Sequence, residues 1–426
     1  MTRIGMFARA GMAAAAVALV LVACSATQAE ETPAETGVTV SASPEDAATL
    51  AAATNEFALD LYTRIKGGEN LFFSPYSVAT ALTMTWTGAR ESTAEGMAGA
   101  LHLPVAGATM HTRLARDAVA SASGALERSL AASPDEQGYE FRTANSLWGQ
   151  AGYGFLEEFT KRLDEQYGAG MRDVDFASDA LGARLAINEW AEKETSGRIE
   201  NLIPEGGVDS VTALVLANAV YFKGKWVSEF DPKSTRKATF HGAKGETEVD
   251  MMSQRSTFGY YEDEDLQVLE MPYIGERLSM LVVLPREELL GGLERVEGGM
   301  TTALQESWLD GMRREEVGVQ LPKFEMTWGS TDLATDLIAL GMHDAFRDAD
   351  FSGMTGERDL FISSVFHKAF VAVDEEGSEA AAATAVVMKR TSVPTGPVFR
   401  ADRPFMFLIR DEVTGAILFM GRVVAP

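Results

Sequence analysis

Between Val373 and Pro397 the chain carries its most unusual run of residue types: Asp374-Glu375-Glu376-Gly377, then Ser378-Glu379-Ala380-Ala381-Ala382-Ala383-Thr384-Ala385, then Val386 to Ser392, with Lys389 and Arg390 as basic outliers. Alanine favours helix and valine favours strand, and no good cap is present, so the conformation of this stretch depends on its surroundings. As a strand it would place Ser378, Ala380, Ala382, Thr384, Val386 and Met388 on one face. That face is small and then apolar, and could slip between existing strands. A surface helix or an exposed linker is the plainer alternative.

No Gly-x-Ser-x-Gly elbow, Walker loop, dinucleotide glycine fingerprint or His-Glu-x-x-His helix occurs in the sequence. The five histidines, His102, His111, His241, His343 and His367, lack metal-ligand spacing, and Cys24 is the only cysteine. Neither a metal nor a cofactor is expected. A hydrolase whose Ser-His-Asp triad is hidden in the sequence is a remote alternative, because such triads are recognised by geometry.

Met1 to Ala23 has the layout of an export signal, with Arg3 and Arg9 before a small, apolar run from Ala10 to Ala23. It ends in Leu21-Val22-Ala23-Cys24, which resembles the bacterial lipobox, so residues 1–23 read as a lipoprotein signal peptide and Cys24 as the acylated residue. Residues 24–47 read as the lipidated cysteine and a flexible tether, poor in large apolar residues. The expected location is the bacterial cell envelope, at the outer membrane or cell surface, with the lipid as the membrane contact. A net charge of −25 and a pI near 4.6 exclude nucleic acid as a partner. With its single cysteine used for anchoring, the chain has no disulfide framework and must hold together by its core. From residue 48 to 426 there is no second low-complexity break and no internal repeat, so one large domain is expected.

The elements that would position the Val373 to Pro397 segment read as helices early and strands late. Ser43-Pro44 and Ser74-Pro75 each pair an N-cap residue with a first-turn proline. Leu50, Phe57, Leu61 and Ile65 follow the first at helical spacing; Val78, Leu82 and Met84 follow the second and suit a buried helix closed by Gly88. A third helix is expected from about Asp179 to Ser196, stopped by Gly197. Thr212 to Phe222 and Leu278 to Leu284 read as strands covered on both faces, Val317 to Met326 as an alternating strand, and Lys368 to Val373 as a short one. Phe405 to Arg410 and Ala416 to Val424 form a hairpin around Asp411 to Gly415.

Several long motifs, in order, resemble the serpin family. Asn70-Leu71-Phe72-Phe73-Ser74-Pro75-Tyr76-Ser77-Val78 is similar to its early helix motif, and Leu216-Ala217-Asn218-Ala219-Val220-Tyr221-Phe222-Lys223-Gly224-Lys225-Trp226 to its central strand. Phe399-Arg400-Ala401-Asp402-Arg403-Pro404-Phe405 and Leu418-Phe419-Met420-Gly421-Arg422-Val423 match its C-terminal signature. The resemblance runs from about Ala48 to the end. It implies an α+β serpin fold, a single domain of three β-sheets with eight or nine helices and an exposed reactive-centre loop.

The function so implied is that of a suicide-substrate inhibitor, a monomer and not an enzyme. A serine or cysteine protease cleaves the loop, and the released loop inserts into the main sheet and traps the acyl-enzyme. A non-inhibitory carrier or chaperone is the alternative. Carried over residue by residue, the loop hinge is Glu375, Gly377, Ser378 and Ala380, Ala381, Ala382 and Ala383, whose small side chains suit insertion. Ser77, Asn218 and His367 match a cluster beneath the sheet where strands must part, and Trp226 lies near where the loop enters. Family spacing puts the cleaved bond between Thr391 and Ser392; a loop one residue shorter would put it between Arg390 and Thr391, and cleavage after Met388 or Lys389 is the remaining alternative. The first register favours subtilisin-like or elastase-like proteases, the second trypsin-like ones.

Overall fold

In a computed structural model of the chain, residues 42–105, 112–130, 138–287, 291–378 and 396–426 are described. The first helix, α1 (Pro44–Ile65), starts as its sequence demands: Ser43 accepts from the Asp46 N–H, and the Asp46 carboxylate accepts from the Ser43 N–H. This start lies inside the expected tether of residues 24–47, so the ordered domain begins a few residues earlier than that boundary. Ser74 caps α2 (Pro75–Trp86) by accepting from the Ser77 N–H, without a reciprocal bond, and all twelve residues of this helix are buried. After α3 (Glu91–Ala100), α4 (Arg113–Leu130) and α5 (Glu157–Tyr167) comes α6 (Phe176–Glu194). It begins three residues before the expected Asp179, because two caps stand in series: Asp175 accepts from Ser178 N–H and Asp179 from Gly182 N–H. Asp179 is therefore non-helical within it.

Four short helices follow, α7 (Gly292–Gly298), α8 (Thr302–Gly311), α9 (Ala334–Ala339) and α10 (Ser352–Thr355), making ten among the described residues. The excess over eight or nine lies in pieces of one or two turns.

The strands are β1 (Leu71–Phe73), β2 (Tyr139–Gln150), β3 (Met171–Val174), β4 (Leu214–Lys225), β5 (Arg236–Gly242), β6 (Gly245–Glu262), β7 (Leu266–Pro272), β8 (Leu278–Pro285), β9 (Arg313–Pro322), β10 (Phe324–Asp332), β11 (Ile362–Val373), β12 (Gly377–Ser378), β13 (Val398–Arg400), β14 (Phe405–Asp411) and β15 (Ile417–Val423). One sheet has the order β10-β11-β12-β4-β2-β3. The remaining nine strands form a network along which β6 is shared: β5 pairs with its start, β9 with its middle and β7 with its end. The hydrogen-bonded strands among the described residues thus form two sheets where three were expected, because β6 is long enough to pair with β5, β9 and β7 in turn and joins them into one network.

The alternating run Val317 to Met326 is not one strand but the end of β9 and the start of β10, which belong to different sheets. Pro322 has no N–H to continue the ladder, and Lys323 N–H turns aside to the Asp250 carbonyl at 2.8 Å. Sequence alternation continues across that break because both strands bury alternate residues.

The six-stranded sheet is covered on both faces. Against one lie Ile187, Trp190 and Ala191 of α6, packed on Ala144, Val215, Ala217 and Phe366. On the other, Phe141, Val220, Phe222 and Val371 share a core with β14 and β15. Phe419 joins the two layers, its ring centroid 5.0 Å from Phe72, 5.7 Å from Phe141 and 5.8 Å from Phe222. Phe419→Ala is therefore expected to cost ~3–5 kcal/mol in denaturant unfolding. A loss below about 1 kcal/mol would show that this junction is not what couples the layers.

Candidate functional site

β4 and β11 run parallel and hydrogen-bonded from the Leu214–Ile362 pair to the Tyr221–Phe370 pair. Beyond that point they diverge, and β12 fills the fork. Ser378 pairs with Val373 on one side and Gly224 on the other, and Gly377 pairs with Lys225. The segment singled out in the sequence thus starts already seated between the two central strands.

The seat is built by a tight turn. Asp374 Oδ1 accepts from the N–H groups of Glu376 and Gly377, at 2.9 and 3.2 Å, and Asp374 N–H donates to the Gly377 carbonyl. Burial raises the Asp374 carboxyl above its ordinary range, against these hydrogen bonds. A side chain at Gly377 would begin 1.9 Å from the Gly224 carbonyl oxygen, so only glycine fits between the strands there.

Trp226 forms the wall of the fork. Its backbone N–H donates to the Glu376 carbonyl at 2.9 Å and its indole N–H to the Asp374 carbonyl at 3.1 Å. Phe230 N–H donates to the Glu375 carbonyl. The Glu375 side chain is held by Lys323 Nζ at 2.6 Å and by Thr235 Oγ1 at 2.8 Å. Burial pushes this carboxyl up, but Lys323 and Thr235 outweigh it and leave its pKa below the ordinary value. Ser378 is fully buried, its Oγ 2.8 Å from the Tyr273 hydroxyl.

Farther down the same seam, His367 of β11 stands opposite Asn218 of β4. His367 Nε2 accepts the Ser74 backbone N–H at 3.1 Å, which leaves the ring proton on Nδ1 to donate to Asn218 Oδ1. Asn218 Nδ2 then donates to Ser77 Oγ and Asn145 Oδ1, and Ser77 Oγ donates to Asn145 Oδ1 at 3.2 Å. Ser74 Oγ accepts from Ser77 N–H and donates to the Leu418 carbonyl. The histidine is completely buried, which depresses its pKa to about 3. With both nitrogens engaged and so little basicity, it is unsuited to act as a general base. Gly329 lets β10 bulge past it: an added Cβ there would lie 2.1 Å from the His367 carbonyl oxygen.

Ser77, Asn218 and His367 therefore meet in one cluster, and Glu375, Gly377, Ser378 and Trp226 meet at the fork above it. Ala380, Ala381, Ala382, Ala383, Arg390, Thr391, Ser392 and Cys24 lie outside the described residues. Sequence reasoning missed Ser74 and Asn145 in the cluster, and Asp374, Tyr273, Lys323 and Thr235 at the fork. Ser74 was legible as a cap, but nothing local marks Asn145 or Thr235, whose roles depend on pairing across the fold. Among the described residues no cluster of His, Cys, Asp and Glu could hold a metal ion.

Residues 52–426 match the family model described as Serpin (serine protease inhibitor). The chain is 43% identical over 379 residues to an uncharacterised serpin-like protein of Thermococcus kodakarensis, covering 88% of this chain and 85% of the other. It is 40% identical over 390 residues to the leukocyte elastase inhibitor of Bos taurus, covering 88% and 99%. Among solved structures it resembles human thyroxine-binding globulin complexed with its hormone, with a TM-score of 0.80 at 29% identity, over 89% of this chain and 99% of that one.

The His367 geometry has a pH signature. Its folded pKa, about 3, lies below the ordinary 6.5, so the unfolded chain binds the proton first and the histidine's stabilisation is complete only above about pH 6.5. It is lost progressively as pH falls toward 3. Between pH 6.5 and 5.5 the expected loss is about 1 kcal/mol in denaturant unfolding, absent from His367→Gln. Equal pH slopes for the two proteins would mean that other groups carry the acid sensitivity.

Proposed function

The chain belongs to the serpin family, and from that premise we propose that it is a suicide-substrate inhibitor of a serine protease with a small first pocket, subtilisin-like or elastase-like in preference to trypsin-like. The observation that carries this reading is the fork: β12 already occupies the gap between β4 and β11, and continuing it downward requires only that their parallel pairing part. A protease attacking the Thr391 carbonyl would release the amine of Ser392 and stay esterified to the loop. About fifteen residues at roughly 3.3 Å each give an inserted strand near 50 Å, long enough to carry the protease the length of the sheet. Strand addition supplies the driving force, and the displaced enzyme cannot complete deacylation.

The ring of bonds around His367 is the gate in this reading. It lies on the seam the loop must open, and its His367–Asn218 bond spans β11 and β4, so that bond must break when the two strands separate. Cysteine proteases that form an acyl-enzyme are within the same scheme. A carrier role is the second reading, favoured by the likeness to thyroxine-binding globulin. Lipidation of Cys24 would hold the domain at the bacterial cell envelope.

Mixing the soluble domain separately with subtilisin, elastase and trypsin, followed by a denaturing gel and mass spectrometry of the released peptide, tests the proposal. A denaturant-stable complex with a peptide beginning at Ser392 is expected; one beginning at Thr391 would move the bond to Arg390. Cleavage without any complex would favour the carrier. Ser378→Arg places a long cation where the native side chain is fully buried, and is expected to turn the inhibitor into a substrate with at least tenfold less complex; unchanged complex formation would refute insertion at this seat. For the anchor, Cys24→Ser is expected to abolish labelling by radioactive palmitate and release the protein from membranes in an exporting bacterial host, and retention of both would overturn it.

A further inference from the structure

We propose that Tyr273 is a positioning residue that seats Ser378 as the first inserted residue of the loop, so that insertion starts from a nucleus formed before any cleavage; this rests on the inhibitory reading above. Tyr273 belongs neither to the loop nor to the two strands that part. It follows β7, bridges to Trp226, and is tied by its N–H to the Leu278 carbonyl at 2.9 Å.

Its ring is clamped. Trp226 stacks on it at 4.5 Å with 16° between planes, and Phe222 meets it edge-on at 4.9 Å. Space for the ring comes from Gly224, where a Cβ would lie 2.7 Å from Tyr273 Cδ1. That same glycine is the strand partner of Ser378. One position on β4 thus admits both the tyrosine ring and the loop's first seated residue, and the clamped ring aims its hydroxyl at Ser378 Oγ, 2.8 Å away.

If Ser378 left the fork, the buried Tyr273 hydroxyl would lose its hydrogen-bond partner there, a cost comparable to a lost hydrogen bond. The tyrosine therefore biases the hinge toward the seated state. The ordering cost of bringing a free segment to a distant strand falls on the first contacts, before later pairs reward it. A contact made in advance removes that delay, when insertion competes with hydrolysis of the acyl-enzyme.

The test is a double-mutant cycle with Tyr273→Phe and Ser378→Ala, singly and together. In reactions with the protease that forms the complex, the ratio of cleaved inhibitor to complex is expected to rise about fivefold in each single variant, the factor one neutral hydrogen bond is worth. No further rise is expected in the double variant. Amide hydrogen exchange in a peptide spanning residues 374–378, read by mass spectrometry on the uncleaved protein, is expected to speed up by a similar factor with the same non-additivity. Should no protease give a complex while the exchange coupling appears, the inhibitory reading fails and the positioning of Ser378 by Tyr273 stands. Unchanged exchange in Tyr273→Phe, or additive effects in the double variant, would overturn the inference.

Discussion

The parallel pairing of β4 with β11 is the constraint on which the rest of the structure turns. Parallel strands buried on both faces are ordinarily the most protected part of a sheet. Here the pair is sandwiched between α6 on one side and the β14–β15 layer on the other, yet a buried polar cluster crosses it at Asn218 and His367. A fully satisfied network of this kind specifies one arrangement strongly and tolerates partial breakage poorly.

The fork at the top of the seam is held by short-range contacts. Asp374 folds the chain back, Gly377 threads a gap too narrow for a side chain, and Trp226 caps the turn with two N–H donors. Glu375, anchored to Lys323 and Thr235, pins the base of the loop to β10's neighbourhood rather than to solvent. The geometry of this turn is thus set by groups on four separate stretches of chain. Short-range hydrogen bonds, the Glu375–Lys323 ion pair and exclusion of a Cβ set it.

The polar groups beneath the sheet also explain why the buried histidine belongs to structure and not to catalysis. Its acceptor nitrogen is occupied by a backbone N–H at the start of α2, and its donor nitrogen by Asn218. α2 is therefore both a wall of the core and a part of the polar cluster. Ser74 serves twice, as helix cap and as the histidine's donor, and Ser77 one turn later reaches the same asparagine.

Much was legible in the chain itself. Caps at Ser43 and Ser74, the apolar run of β4 and the hairpin at Asp411 to Gly415 all act through local chemistry: a hydroxyl near a free N–H, an alternation matched to a pleat, a turn between paired strands. Long ordered motifs carried the family for the same reason. Local pattern could not tell that Val317 to Met326 divides between two sheets, since burial alternates on both sides of Pro322. Nor could it place Asn145, Thr235 and Tyr273, which come from strands and turns far apart in sequence. The sequence by itself determined where most helices and strands lie, because those follow from each residue's own geometry and its near neighbours. Which side chains meet at the seam and the fork was decided only by the tertiary structure, because a hydrogen bond between distant residues exists only once the strand register has brought them within 3 Å of each other.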